Sequence, residues 1–193
     1  MQKMAVLLSG SGRTLDNFHE RIKDGTLQAR VEVVIANVAD ALGLKKAAGY
    51  GYPALHAKGS AATNEIIARY DVDLVVLAGY LKLYVPPTSL KRRVLNIHPS
   101  LIPAFCGAGF YGHHVHEAVK ARGCTVSGCT VHFASEVYDE GPIVLQKCVQ
   151  LRDEDTAGDI AARVFAAECE AYPEAINLVD GKGINYFWDR VKR

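Results

Sequence analysis

Two rhythms of apolar residues alternate along the chain, and they read as alternating strands and helices. "MAVLL" (Met4 to Leu8) is a short apolar run that empties into "SGSGRT". After it, Leu15, Phe18 and Ile22 of "LDNFHERIKDG" share a helical face, and Gly25 stops the helix. "VEVVIAN" (Val31 to Asn37) is β-branched and predicts a second strand. "ADALGLKKAAGYG" predicts a helix closed by Gly49 and Gly51, and "YPALHA" a short strand. "SAATNEIIARYD" predicts a third helix with Ser60 as its N-cap. "VDLVVLAG" (Val72 to Gly79) is an apolar run broken only by Asp73 near its start, as a central parallel strand covered on both faces should be. "PPTSLKRR" predicts a short helical linker, and "VLNIH" the next strand.

The order βαβαβαβαβ implies a mostly parallel sheet with right-handed crossovers and helices on both faces. The rhythm then changes. "VHEAVKARG" predicts a helix ended by Gly123. "CTVSGCTVHFA" and "GPIVLQKCVQL" follow as two strand-like runs with only "SEVYDE" between them, which predicts a hairpin extending the sheet with antiparallel strands. "DTAGDIAARVFAAECEAYPEAINLVDG" predicts a long helix capped by Asp155 or Thr156, with Gly181 and Gly183 just past its end. No repeat or linker interrupts the pattern. The expectation is a single α/β domain over residues 1–193.

Charge removes some function classes. The net charge is +1, so nothing predicts a nucleic-acid or membrane surface. No apolar stretch approaches the ~20 residues that span a bilayer, and the first apolar run stops at Ser9. Cys106, Cys124, Cys129, Cys148 and Cys169 are odd in number and form no CxxC, so reduced thiols in a cytoplasmic protein are expected.

Four segments carry candidate chemistry. In "SGSGRT", between the first strand and first helix, small residues and a helix N-terminus can present N–H groups to a phosphate, with Arg13 adding a full charge. The loop lacks the lysine of a nucleoside-triphosphate loop and the third glycine of a dinucleotide loop. It reads as a phosphomonoester site or as a tight turn with no ligand. Asn96 and His98, two apart on a strand, point the same way at its C-terminal end, where open α/β sheets bind ligands. An amide can donate to an oxyanion and an imidazole can move a proton, but a histidine satisfied by backbone would look the same. Asp139 lies in the hairpin turn "YDEGP", itself an ordinary turn sequence. His113, His114 and His116 cluster near Cys106 without zinc-site spacing, so no metal is expected.

Together "SGSGRTL", "VLAGYLKL", "NIHPSLIPAF", "GCTVHF" and "DEGPIVLQ" resemble the folate-dependent formyltransferases, in particular the phosphoribosylglycinamide formyltransferases, from Val6 to about Gly181. Methionyl-tRNA formyltransferase, formyltetrahydrofolate hydrolase and sugar-nucleotide formyltransferases share the motif pair. The further domains of the first two do not fit in 193 residues, and the glycine loop favours a phosphoribosyl substrate. The resemblance implies a Rossmann-like formyltransferase fold and transfer of a formyl group from 10-formyltetrahydrofolate to the amine of glycinamide ribonucleotide, in purine biosynthesis. It implies catalysis by Asn96, His98 and Asp139, with the carboxylate raising the His98 pKa. Gly12, Arg13, Thr14 and Glu168 would hold the ribonucleotide. Arg13 and Thr14 depart from the Gly-Ser-Asn of many relatives. Leu81, Lys82, Leu83, Tyr84 and Asn96 would hold the folate, with Lys82 where an arginine is common. His113 and His132 would support the catalytic groups, and "FCGAGFYGHH" would form a mobile flap. Small-molecule substrates, no nucleic acid, no membrane, and a monomer or homodimer complete the expectation. Two rivals are formyl transfer to another amine, such as an amino-sugar nucleotide, and a ligand-binding relative without turnover.

Overall fold

The computed structural model describes residues 1–191. Seven strands form one sheet in the order β3-β2-β1-β4-β5-β6-β7. Strands β1 (Gln2–Leu8), β2 (Ala29–Ala36), β3 (Ala54–His56), β4 (Leu74–Leu77) and β5 (Val94–His98) are parallel. Strands β6 (Val126–Phe133) and β7 (Ile143–Gln150) extend the sheet antiparallel, as the hairpin pattern predicts. Helices α1 (Arg13–Lys23), α2 (Leu42–Gly49), α3 (Gly59–Ile67), α4 (His113–Ala121) and α5 (Ala157–Lys182) cover the faces. Two apolar clusters result. One contains Val6, Leu8, Val76 and Leu95, the other Leu7, Val75 and Val94, so neighbouring residues of one strand serve opposite faces.

The chain leaves β1 for β2 on one side, and β4 flanks β1 on the other, so the strand order reverses between β1 and β4. Loops diverge there, opening a crevice at the strands' C-terminal ends. The loops after β1 and β4 are tied together: Ser9 N–H donates to the Gly79 carbonyl at 3.1 Å, and Leu81 N–H to Ser9 Oγ at 2.9 Å. From the long helix, buried Tyr172 reaches the Leu77 and Leu95 carbonyls, each at 3.0 Å. It thereby fixes α5 against β4 and β5, and with it Glu168, one turn earlier.

Of the two expected caps of α5, Thr156 is the one used, through a reciprocal capping box with Asp159, an arrangement worth about 1 kcal/mol. Asp155 instead accepts from Arg152 N–H and pairs with Arg163. Gly181 lies inside α5, and only Gly183 ends it. Ser60 is not a cap: α3 begins at Gly59, and the Ser60 hydroxyl accepts from Val85 N–H. The linker shrinks to one 3₁₀ turn, Thr88–Leu90. A sixth helix, α6 (Ile184–Arg190), follows Gly183 and buries Phe187, with Phe133 packed against both Phe187 and Trp188.

Candidate active site

Asn96 and His98 stand at the C-terminal end of β5, with Asn96 paired across the sheet to His132 and His98 to Thr130. That register is the origin of the site. Asn96 Nδ2 lies 3.1 Å from His132 Nε2, and His132 Nδ1 lies 3.0 Å from the Phe133 carbonyl. With Nδ1 donating to the carbonyl, Nε2 accepts from the amide, whose second N–H stays available. Asp139 reaches in from the β6–β7 turn at a φ of 60°, a left-handed conformation that aspartate tolerates better than most residues. Its two oxygens divide between the imidazoles, Oδ2 at 3.5 Å from His98 Nδ1 and Oδ1 at 3.5 Å from His132 Nε2. The turn is anchored by Gly141, where a Cβ would meet the Phe133 carbonyl oxygen at 1.7 Å.

The segment after β5 closes over this cluster. His98 Nε2–H donates to the Phe105 carbonyl at 2.8 Å, and Gly107 N–H donates to Asp139 Oδ2 at 2.8 Å. Its approach is held by Thr130, whose hydroxyl donates to the Ser100 carbonyl at 2.7 Å and accepts from Ile102 N–H and Gln146. These supports have no sequence signature of their own.

Burial decides the charges. It lowers the His98 pKa, and the Asp139 charge and the Phe105 carbonyl oppose it without reversing it. This corrects the expectation that Asp139 alone would raise it: a nearly buried imidazole loses more hydration than one carboxylate at 3.5 Å restores. Burial also pushes the Asp139 carboxyl up, but His132 when protonated, the Gly107 N–H and a protonated His98 outweigh it and hold the pKa below the usual range. The resting pair is a neutral imidazole beside an ionised carboxylate. A proton arriving at His98 Nδ1 would be stabilised there at once.

His113 does not join this cluster. It lies exposed at the start of α4, with Nε2 3.9 Å from Glu117. His116, one turn on, is the buried one; burial, then the neighbouring His113 and His98, lower its pKa to about 4, and its Nδ1 has no hydrogen-bond partner. The signal for it was present: Val115 and Val119 mark the inward face of α4, and His116 adjoins it.

Gly12 caps α1 at a φ of 72°, where a Cβ would meet Gly43 Cα at 2.7 Å. A glycine there lets α1 and α2 approach, and the first N–H groups of α1, those of Arg13 and Thr14 among them, have no partner within the helix. The Arg13 guanidinium lies 4.1 Å from the centre of the Phe165 ring on α5. Beyond it, burial pushes the Glu168 carboxyl up to about 7, with Arg13 opposing. After β4, Leu81, Lys82 and Leu83 are exposed, while Tyr84 is buried with its hydroxyl donating to Asn64 at 2.7 Å. So only the first three offer side chains to a ligand. Among the described residues no group of three or more His, Cys, Asp or Glu could hold a metal ion, and no helix is long and apolar enough to cross a membrane.

The Glu168 environment gives a pH prediction. The folded carboxyl ionises near pH 7 and the unfolded one near 4.5, so the folded state binds the extra proton between them. Stability therefore falls as pH rises through that window, by on the order of 3 kcal/mol once both states are ionised. Glu168→Gln removes this loss. Without substrate, its melting temperature should exceed the parent's by roughly 6–12 °C at pH 8, with a much smaller gap at pH 5. A gap independent of pH would contradict the assignment.

Known proteins carry the same scaffold. Residues 2–176 match the model of a family described as formyl transferase. A chloroplastic phosphoribosylglycinamide formyltransferase of Vigna unguiculata is 39% identical over 92% of this chain, which spans 61% of that protein's length. The phosphoribosylglycinamide formyltransferase of Haemophilus influenzae is 36% identical over 91% of this chain and 86% of its own. The crystal structure of glycinamide ribonucleotide transformylase 1 from Symbiobacterium toebii superposes with a TM-score of 0.82 at 41% identity, over 91% of this chain and 86% of that one. The family match over most of the chain and its agreement with an independently determined fold lead to one conclusion: the chain belongs to the formyl transferase family.

Proposed function

We propose that this protein transfers the formyl group of 10-formyltetrahydrofolate to the amine of glycinamide ribonucleotide. The observation that carries the reading is the Asn96–His98–Asp139–His132 cluster at the C-terminal end of β5, the end of the sheet from which the glycine loop after β1 and the exposed segment after β4 also leave.

The amine nitrogen attacks the formyl carbon, and the carbonyl electron pair moves onto oxygen. The free N–H of Asn96 donates to that oxyanion. His98 Nε2–H, held by the Phe105 carbonyl at rest, is the second donor. A full negative charge competes for that N–H better than a neutral carbonyl does. The proton leaving the attacking nitrogen is taken up by the His98–Asp139 pair, and the resulting imidazolium lies against an ionised carboxylate. On collapse the carbon–nitrogen bond to the folate breaks, and the same pair returns the proton to the leaving nitrogen. Gly12, Arg13, Thr14 and Glu168 hold the ribonucleotide. Leu81, Lys82, Leu83, the Tyr84 backbone and Asn96 hold the folate. The enzyme works as one domain in the cytoplasm, as a monomer or as a homodimer with a complete site in each copy.

Arg13 is the residue on which this substrate assignment can be tested. Arg13→Ala should raise KM for glycinamide ribonucleotide roughly ten-fold, the loss of one charge-assisted phosphate contact, and leave KM for the folate nearly unchanged. Initial rates with each substrate varied in turn check it; an equal rise in both would remove this loop from the phosphate site.

A further inference from the structure

At the opposite end of the sheet from the crevice, where β1 and β5 begin and α5 ends, a cavity of about 650 Å³ opens to the surface. Lys91, Arg92, Arg93 and Lys182 line it; Lys91 is paired with Glu136 at 3.2 Å. The one lining carboxylate among the described residues, Asp180, accepts from the Gln2 amide and pairs with the N-terminal ammonium at 3.0 Å, which leaves Arg92, Arg93 and Lys182 as the cations facing the cavity. In a chain of net charge +1, that is a local excess of positive charge.

How three of these cations are held matters more than their number. The Arg92 guanidinium lies 5.2 Å from the centre of the Trp188 ring, and the Lys182 ammonium 4.7 Å from that of Tyr186. Arg93 donates to the Asp73 carbonyl at 3.3 Å. A ring face or a carbonyl orients a cation without cancelling its charge, and a stacked guanidinium keeps its edge N–H groups free. Arg92 also sits at a φ of 71°, a conformation glycine adopts freely and arginine does not. Strain of that kind is tolerated where a side chain must be placed. Trp188 Nε1–H donates to the Arg92 carbonyl at 3.2 Å and locks the turn under its own side chain.

We propose that this cavity binds a small molecule carrying two or three linked phosphates, such as a nucleoside diphosphate or triphosphate. A single phosphate would engage one side of a site whose cations come from both the Lys91–Arg93 turn and the end of α5; a phosphate chain can reach both. The volume suits a ligand of that size. Tyr186, about half exposed on the cavity wall, offers a base a ring edge to rest on. The assignment does not depend on the formyl-transfer reading, since no residue is shared with the crevice.

Trp188 is the chain's only tryptophan, so its emission reports on this site alone. Tripolyphosphate and adenosine triphosphate, each titrated at constant ionic strength, should give a saturable emission change with one site per chain. The response should persist in Arg13→Ala, which alters the other phosphate-type loop. It should weaken at least ten-fold in Arg93→Gln/Lys182→Gln, with Lys182→Gln alone as the milder variant should the double one melt early. A tighter site for the nucleotide than for tripolyphosphate would give Tyr186 its role; equal affinities would leave recognition to the phosphates. No saturable change with either probe, a change undiminished in the Lys182 variants, or binding of a single-stranded oligonucleotide only would overturn the proposal.

Discussion

Asp139→Asn should leave the protein folded and lower kcat by roughly two or more orders of magnitude, the scale seen when a charged transition-state partner is removed. The carboxylate occupies the turn between β6 and β7 and touches His98, His132 and the Gly107 N–H. An amide can still accept from Gly107 through its oxygen, so the loop keeps its anchor and stability should change little. What it cannot supply is the negative charge that makes a proton on His98 Nδ1 tolerable. Burial already lowers the His98 pKa, and without Asp139 nothing charged opposes it. Turnover within a few-fold of the parent, in a variant with an unchanged melting temperature, would remove Asp139 from the chemistry.

His98→Asn should be at least as damaging to rate and much less so to binding. Asparagine ends near the position of Nδ1, short of the Phe105 carbonyl that Nε2 reaches, and it neither takes up a proton nor becomes a charged donor. Its contribution is made mainly in the transition state, so kcat should fall by roughly two to three orders of magnitude while affinity for a non-reactive folate analogue is kept. Calorimetric titration beside a turnover assay separates the halves. Lost folate affinity with an unchanged rate at saturation would make His98 a binding residue and shift the oxyanion role onto Asn96.

Much of this arrangement was legible in the order of residues, for definite reasons. The parallel core showed because Leu74 to Gly79 is apolar at every position, as a strand covered on both faces should be. Asn96 and His98 showed because polar side chains closing a buried strand demand a use. Where local pattern had to give way to packing, the reading failed. No spacing rule pairs Asn96 with His132; that needs the antiparallel register of β5 and β6. The His98 pKa was misread because a neighbouring charge can be inferred from a motif, while desolvation depends on how Phe105 and Gly107 fold back over the site. Ser60 has a capping side chain but spends it on Val85, a partner 25 residues away. "INYFWDR" carries no capping signal beyond Gly183, and its helix is set by Phe187 entering a core built from distant segments.

The central claim is the identity of the acceptor, and one measurement bears on it directly. The purified chain, given a 10-formyl folate carrying an isotopically labelled formyl carbon, is offered glycinamide ribonucleotide and, separately, an amino-sugar nucleotide, and the products are resolved by mass. The account predicts labelled formyl on the glycinamide amine, one tetrahydrofolate released per transfer, and loss of both with Asp139→Asn. Label on the amino sugar with the ribonucleotide untouched, or no transfer to either amine by a folded, folate-binding protein, would contradict it.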